Sequence, residues 1–454
     1  MTPPTRDLSS IVKAYDVRGV VPDELDPEIA RALGAAFARF TGATRLVLAR
    51  DMRDSGVELS QAFAEGATSQ GADVVDCGLG STDLLYYAAG SMDVPGAMFT
   101  ASHNPARYNG IKLCLAGAKP VGQESGLAEI RAEAERFLAE GVPSGERQGT
   151  VTQQDVLAGY AGYMRSLVTD LEGIRGLKVV VDAGNGMGGH TVSTTFEGLP
   201  LEVVKMYFEL DGSFPHHEAN PIDPANTADL QARVLAEGAD LGLAFDGDAD
   251  RCFVIDERGE IVSPSVLTAL IAARELAKDP GSTVIHNLIT SRAVPEVVTE
   301  HGGTPVRTRV GHSFIKAEMA RTGAVFGGEH SGHFYFRDFW NADSGMLAAL
   351  HTIAALGHAE GPLSGLLSSY ARYAASGEIN STVADQAASV AAVKKAYADR
   401  TQDELDGLTV DLGQGAWFNI RASNTEPLLR LNVEAPDQAG VAQVREQVLA
   451  LIRS

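Results

Sequence analysis

Three aspartates, Asp246, Asp248 and Asp250, alternate along the short segment Asp246-Gly247-Asp248-Ala249-Asp250-Arg251. Apolar runs on either side, Leu241 to Phe245 and Cys252 to Asp256, read as strands, so the acids sit on a tight loop between them. Like charges crowded together repel, and a divalent cation offsets that repulsion. Oxygen-only ligands select a hard ion, and three carboxylates leave positions for water or a phosphoryl oxygen, which suits Mg2+. Two other readings stay open on these residues alone. With Asp246 as position one, Glu257 falls at position twelve of a calcium loop, although Arg251 stands where such a loop turns on glycine. The segment also reads as an acidic turn that is merely solvated.

A second constellation lies in Met98 to Leu115. The apolar run Gly96 to Phe99 reads as a buried strand ending in Thr100-Ala101-Ser102-His103-Asn104-Pro105. Pro105 biases Asn104 away from helix, and Asn109-Gly110 predicts a tight turn into a second strand, Ile111 to Leu115. Ser102 then stands on a constrained loop at the lip of a strand, where it is the candidate nucleophile beside His103. The same residues also suit a polar turn that caps neighbouring backbone groups. Two further sets bind rather than react. Arg251 is placed to meet a phosphate, and Arg421, Ser423, Asn424 and Thr425 offer a guanidinium, two hydroxyls, an amide and loop N–H groups to another. His312, Glu329, Ser331 and His333, set among glycines in predicted loops, could hydrogen-bond a polyol.

Alternating strand and helix patterns must position these loops. Helices over Pro27 to Phe40 and Glu58 to Gln70 alternate with strands over Leu46 to Ala49 and Asp73 to Cys77. The rhythm repeats in helix Gln154 to Thr169, strand Lys178 to Asp182 and helix Thr227 to Glu237. It repeats again in helix Pro264 to Leu276, strand Thr283 to His286 and helix Arg292 to His301. Such alternation indicates layered α/β domains with largely parallel sheets. The last 80-odd residues change style and close on a helix, Ala439 to Ile452, as a small α+β unit. Expected boundaries fall at 1–152, 153–256, 257–370 and 371–454. Gly184, Gly186 and Gly189 satisfy G-x-G-x-x-G after a strand, but the following helix is short and no ribose-binding acid follows. A tight strand-to-helix turn is the better reading.

With 37 Lys+Arg against 59 Asp+Glu the formal charge is -22, which repels nucleic acid and anionic membrane. Cys77, Cys114 and Cys252 are too few and too scattered for a disulfide framework, as suits a reducing compartment. No signal-peptide core is present at the N-terminus, and no stretch approaches the roughly 18 apolar residues of a span. The expectation is a cytoplasmic multidomain protein.

KAYDVRG at Lys13 to Gly19, RDMRDS at Arg50 to Ser55, TASHNP at Thr100 to Pro105 and DGDADR at Asp246 to Arg251 are followed by GGEHSGH at Gly327 to His333 and RASNTEP at Arg421 to Pro427. In this order, and over essentially the whole chain, they closely resemble the α-D-phosphohexomutase superfamily, in its phosphomannomutase/phosphoglucomutase branch. The resemblance implies three similar α/β domains with mixed, largely parallel sheets and a C-terminal α+β domain, arranged around a central cleft. It implies a phosphoserine at Ser102 and Mg2+ held by Asp246, Asp248, Asp250 and the Ser102 phosphoryl oxygen. His103 and Lys112 would transfer protons or polarise phosphate, with Arg251 near the transferring group. Glu329 and Ser331, helped by His312 and His333, would bind sugar hydroxyls. Arg421, Ser423, Asn424 and Thr425, with Tyr15 and Arg18, would grip the non-reacting phosphate.

The implied reaction interconverts hexose 6-phosphate and hexose 1-phosphate through a hexose 1,6-bisphosphate, in a monomer or weak dimer. SNTEP in place of SGTEP, and the GHSFIK stretch at Gly311 to Lys316, favour mannose or glucose phosphates over glucosamine phosphate, and mannose phosphates are the expected substrates. Glucose phosphates or dual specificity are the alternatives, and glucosamine phosphate a more distant one. A non-catalytic phosphosugar-binding relative would be expected to lack Ser102 or one of the acids. Two departures stand out. Asp83 occupies a position where many relatives carry proline, with no role expected. Near Leu288 to Thr290 there is no lysine to face a phosphate, a gap that Arg309 would fill.

Overall fold

The computed structural model describes residues 6–422 and 428–453, and of His312 the backbone only. The chain forms two compact units, Met1–Val262 with Gly332–Ser364, and Ser263–Ser331 with Gly365–Ser454.

The first unit begins β1 (Val17–Val20), α1 (Pro27–Thr41), β2 (Arg45–Arg50), α2 (Ser55–Ser69), β3 (Asp73–Leu79), α3 (Thr82–Met92), β4 (Gly96–Phe99) and β5 (Tyr108–Leu115). β6 (Lys119–Pro120), α4 (Leu127–Glu140) and β7 (Val151–Gln153) complete the first domain. Its sheet runs β1-β5-β4-β2-β3-β7, with β6 on β5. β4, β2, β3 and β7 are parallel, and β5 is antiparallel to both neighbours. β4 is buried at every residue, the continuous apolar run that a sheet covered on both faces requires. Asp26 caps α1 by accepting from Ile29 N at 2.9 Å, Pro27 presets its first turn, and Gly42 ends it in the left-handed region. Phe37, Phe63 and Phe99 then stack helix, helix and sheet into one core.

The second domain follows as α5 (Leu157–Leu167), β8 (Leu177–Asp182), α6 (Gly188–Thr195), β9 (Leu201–Met206), α7 (Ala228–Glu237), β10 (Leu241–Phe245), β11 (Cys252–Asp256) and β12 (Ile261–Val262). Its sheet order is β12-β11-β10-β8-β9, parallel from β10 to β9. β10 and β11 pair antiparallel up to Phe245 and Cys252, leaving 246–251 as the connecting loop.

The third domain contains α8 (Pro264–Lys278), β13 (Thr283–Asn287), α9 (Ala293–Glu300), β14 (Thr304–Thr308), α10 (His312–Thr322) and β15 (Phe326–Gly328), where β13 lies parallel between β14 and β15. The antiparallel pair β16 (Phe334–Phe336) and β17 (Ala342–Asp343) and helix α11 (Gly345–His358) belong to the first unit, and α12 (Leu363–Leu367) follows. The fourth domain has β18 (Ala374–Thr382), α13 (Gln386–Ala396), β19 (Thr401–Asp403), β20 (Leu408–Gly413), β21 (Ala416–Ala422), β22 (Leu428–Ala435) and α14 (Gln438–Ile452). Its antiparallel sheet, β18-β22-β21-β20-β19, packs one face on α13 and α14. Three α/β domains and a C-terminal α+β domain result, as expected.

Two local expectations need correction and one element was not anticipated. Asn109-Gly110 is not a turn but lies within β5, opposite Gly19 and Arg18. Gly110 is required there by closeness, because a Cβ would stand 2.3 Å from Val17 O. Thr82 to Met92, for which the sequence suggested no element, is helix α3, capped by Ser81. His312 opens helix α10 instead of lying in a loop. Its neighbour Gly311 has φ +137, outside the range a side chain tolerates well, which makes the entry abrupt.

Candidate active site

Ser102 follows β4, at the carboxyl end of a parallel strand, and its φ of +49 is left-handed. A non-glycine residue held there costs about 1–2 kcal/mol, so the surroundings must enforce it. Arg53, 1% exposed, does so. Its Nη1 donates to Pro105 O and Tyr108 O at 2.9 Å, and its Nη2 donates to Ser102 O at 2.9 Å and Asn104 O at 2.7 Å. Nε reaches Asp51 Oδ2 at 3.2 Å, so the planar fork is fully engaged. Arg18 adds a bond from Nη1 to Asn104 Oδ1 at 2.6 Å.

The acidic loop meets this serine. Ser102 Oγ donates to Asp246 Oδ2 at 2.8 Å and lies 3.3 Å from His103 Nδ1. Arg251 reaches Asp246 Oδ2 through Nε at 2.9 Å and also donates to His103 Nδ1. Because a guanidinium has no acceptor, Nδ1 is the unprotonated nitrogen and the ring proton sits on Nε2. Burial, then Arg251 and Arg18, push His103 down to about 2, so its ring is neutral. Lys112 Nζ bridges Asp248 Oδ2 at 2.7 Å and Asp250 Oδ2 at 2.6 Å. Burial pushes Asp246 above the usual carboxylate range; Asp248 and Asp250, which burial would also raise, are held below it by Lys112.

These residues fit a hard divalent ion. Asp246, Asp248 and Asp250 each bring one carboxylate oxygen into a group no wider than 4.8 Å. Asp248 Oδ1 and Asp250 Oδ1 are buried without a hydrogen-bond partner, a costly state for a charged oxygen unless a ligand meets it. The calcium-loop alternative loses its twelfth position, since Glu257 accepts from Ser364 N at 3.1 Å and from Ser364 Oγ. The glycine-rich segment after β8 packs on the acidic loop, Met187 N donating to Gly247 O at 2.9 Å. It makes a tight strand-to-helix turn, Gly186 N donating to Ala183 O at 2.7 Å, and also serves as a strut for that loop.

His333 belongs to this same unit, its Nε2 3.6 Å from Asp250 Oδ1 and 4.0 Å from Asp343 Oδ2. Tyr15 and Arg18 are half-buried in it too. In the other unit, buried Glu329 accepts from Asn287 Nδ2 at 3.2 Å and Gly311 N at 3.3 Å, and Ser331 is half-buried. Arg421 donates from Nη2 to Glu378 Oε2 at 2.8 Å. Ser423, Asn424 and Thr425 lie outside the described residues. The lysine-less stretch Leu288 to Thr290 lines a cavity of about 310 Å³ together with Arg292, Arg307 and Trp417. Those two arginines pair with Asp411 at 2.9 Å and Asp403 at 2.6 Å, while Arg309 lies over the Phe314 ring.

Sequence reasoning missed Thr82 and gave Arg53 no role. Thr82 Oγ1 donates to Asp248 Oδ2 at 2.7 Å and Thr82 N to Asp248 O at 3.0 Å. No local pattern signals a threonine that bonds a loop 166 positions away. Arg53 had a signal, its place in RDMRDS, but not one that tells a buried guanidinium from a surface one.

Such a site, a strained serine against buried acids on paired α/β sheets, is of the phosphoryl-transfer kind. Family models for phosphoglucomutase/phosphomannomutase match as alpha/beta/alpha domain I over residues 9–138, domain II over 160–259, domain III over 264–373 and the C-terminal domain over 378–451. A protein named "Phosphohexose mutases" from Xanthomonas campestris pv. campestris is 39% identical over 443 residues, 96% of this chain and 98% of its own. A phosphoglucomutase of Neisseria meningitidis is 36% identical over 98% of this chain and 97% of its own. The crystal structure of a phosphoglucomutase/phosphomannomutase family protein from Burkholderia thailandensis superposes with a TM-score of 0.86 at 32% identity, covering 98% and 97% of the two chains. The chain therefore belongs to the α-D-phosphohexomutase superfamily, in its phosphoglucomutase/phosphomannomutase branch. Its reaction is of the phosphohexomutase type. Among the described residues no helix is long and apolar enough to cross a membrane.

Proposed function

We propose that the protein is a phosphohexomutase acting on mannose 6-phosphate and mannose 1-phosphate through a phosphoserine at Ser102 and a hexose 1,6-bisphosphate. The observation that carries this reading is the 2.8 Å bond from Ser102 Oγ to Asp246, one of three buried acids on the loop. Asp246, Asp248, Asp250 and the Ser102 phosphoryl oxygen would hold Mg2+, which supplies Lewis-acid polarisation of that oxygen. Phosphate-monoester cleavage needs accelerations up to about 10²¹-fold, so most of the work is charge stabilisation and alignment.

Arg53 and the left-handed backbone at Ser102 hold the hydroxyl in one direction. Arg251 and Lys112 bring positive charge to the transferring phosphoryl group, and neutral His103, with its ring proton on Nε2, is a polarising group beside it. Phosphoserine gives its phosphoryl group to the free hydroxyl of a hexose monophosphate. The bisphosphate turns end for end, and its other phosphate returns to Ser102. Glu329 and Ser331 bind sugar hydroxyls, with His312 and His333 assisting. Arg421 with Ser423, Asn424, Thr425, Tyr15 and Arg18 grips whichever phosphate is not reacting.

The SNTEP loop and the GHSFIK stretch favour mannose or glucose phosphates over glucosamine phosphate. Glucose, or both sugars, is the second reading, supported by the name of the Neisseria relative. Side-by-side kcat/KM for mannose 1-phosphate, glucose 1-phosphate and glucosamine 1-phosphate decides between them. A preference for glucosamine 1-phosphate would overturn the assignment, and no turnover of any of the three would overturn the mutase reading itself.

A further inference from the structure

Two helices begin against the acidic loop. Ser81 caps α3, accepting from Leu84 N at 3.3 Å, and Ser344 caps α11, accepting from Leu347 N at 3.0 Å. The next residue of each helix touches the loop directly. Thr82 bonds Asp248 twice, through its amide to Asp248 O at 3.0 Å and its hydroxyl to Asp248 Oδ2 at 2.7 Å. Gly345 lies so close that a Cβ there would be 2.6 Å from the Arg251 carbonyl carbon and 3.0 Å from Ala249 O. The loop is thus held between two helix N-termini, whose partial positive charge favours the anionic segment.

A single side chain ties these two helix starts together. Asp83, fully buried at the second position of α3, accepts through Oδ2 from Ser344 Oγ at 2.7 Å and from Tyr160 OH of α5 at 2.9 Å. Its Oδ1 accepts from Ser81 Oγ. Ser81, Tyr160 and Ser344 are themselves fully buried. Burial pushes the Asp83 carboxyl up to about 7, against the three hydroxyl bonds that favour its ionised form. An acid in so dry a place is tolerated only because every oxygen is met.

We infer that Asp83 is a positioning residue for the cation site: by tying Ser81, Ser344 and Tyr160 into one cluster it sets where Thr82 holds Asp248. The Asp83 side chain bonds Ser81, Tyr160 and Ser344 and none of the three loop aspartates. It acts through the adjacent Thr82, so its effect falls on the placement of a ligand oxygen. Groups behind metal ligands typically matter about 10- to 100-fold in affinity. The inference rests on Asp248 being a cation ligand, and the experiment separates the two.

Mg2+ binding is measured by titration calorimetry on the phosphorylated full-length protein, for wild type, Asp248→Asn, Asp83→Ala and Asp83→Asn, at temperatures where circular dichroism reports each as folded. Wild type should bind one Mg2+ and Asp248→Asn should bind it far more weakly; failure of either refutes the cation site itself. Asp83→Ala should raise the Kd for Mg2+ by about tenfold or more. Asp83→Asn keeps an oxygen for Tyr160 and Ser344 and an amide for Ser81, so its Kd should stay within about threefold of wild type. A purely structural residue would lower the melting temperature and leave the Kd unmoved. Should Asp83→Ala not fold, Tyr160→Phe removes one hydroxyl from the cluster while keeping the buried ring, and should raise the Kd about fivefold. Wild-type Mg2+ affinity in folded Asp83→Ala, or in Tyr160→Phe where the former is unfolded, overturns the inference.

Discussion

Ser102 Oγ donates to Asp246 Oδ2 across 2.8 Å, although 144 positions separate the two residues. Each follows a strand of a parallel run, Ser102 after β4 and Asp246 after β10. Carboxyl ends of parallel strands are where α/β sheets place their ligands, because the chain there is free to turn and the strand beneath is rigid. In this first unit the two edges face one another, so two modest loops make one site.

If Ser102 carries the phosphoryl group, Ser102→Ala should lose nearly all mutase turnover and still bind sugar phosphate. Intact-mass analysis of wild type should find one labile phosphate that peptide mapping assigns to Ser102 and that the variant lacks. Turnover of the alanine variant at the wild-type rate would falsify the assignment.

Arg53→Lys should be far from conservative. One ammonium cannot reproduce four bonds to Ser102, Asn104, Pro105 and Tyr108 from a planar fork. The serine loop should relax by a fraction of an ångström to an ångström, which costs up to about 100-fold in kcat. KM for the sugar phosphate should change much less, since Arg53 is buried beneath the loop. A kcat within twofold of wild type would show that the serine is held by other means.

Arg421→Ala tests the non-reacting phosphate. A hydrogen bond to a charged group is worth roughly 1.5–3 kcal/mol, which is about 10- to 150-fold in kcat/KM. The loss should be alike for 1-phosphate and 6-phosphate substrates, and small for transfer to a free hexose. A defect in one direction only would assign Arg421 to something else, its contact with Glu378 included.

His217 gives a pH dependence with a definite sign. Its Nε2 lies 3.0 Å from Asp182 Oδ2, and Asp182 is 1% exposed. Burial alone would lower the imidazole, but the Asp182 bond and charge outweigh it and hold it above the ordinary 6.5. A raised folded pKa means the native state binds the proton more tightly than the unfolded chain. The stabilisation is therefore complete below about 6.5 and is lost as pH rises through the raised value. Urea unfolding of wild type and His217→Gln should show a stability difference that shrinks as pH increases above about 6.5. A difference independent of pH would mean that the pair is not ionic.

The acidic loop and the strand-to-serine segment were legible in the sequence because their signals are local. Alternate aspartates between apolar runs imply a loop between strands, and the α/β rhythm follows from periodicity over windows of ten or so residues. Asn109-Gly110 misled because that pair satisfies a turn equally well; its place in β5 is decided by pairing with β1, Gly110 lying opposite Arg18, 92 residues earlier. Arg53, Thr82 and Asp83 could not be weighed at all from composition or spacing. A buried arginine, threonine or aspartate differs from an exposed one only in its partners, and the telling ones here, Ser102, Asp248 and Ser344, lie 49, 166 and 261 positions away. Sequence alone determined which groups could do phosphoryl chemistry and in what kind of domain. Tertiary structure decided which polar side chains hold those groups in place, because burial and hydrogen-bond satisfaction are properties of the packed chain and not of any segment of it.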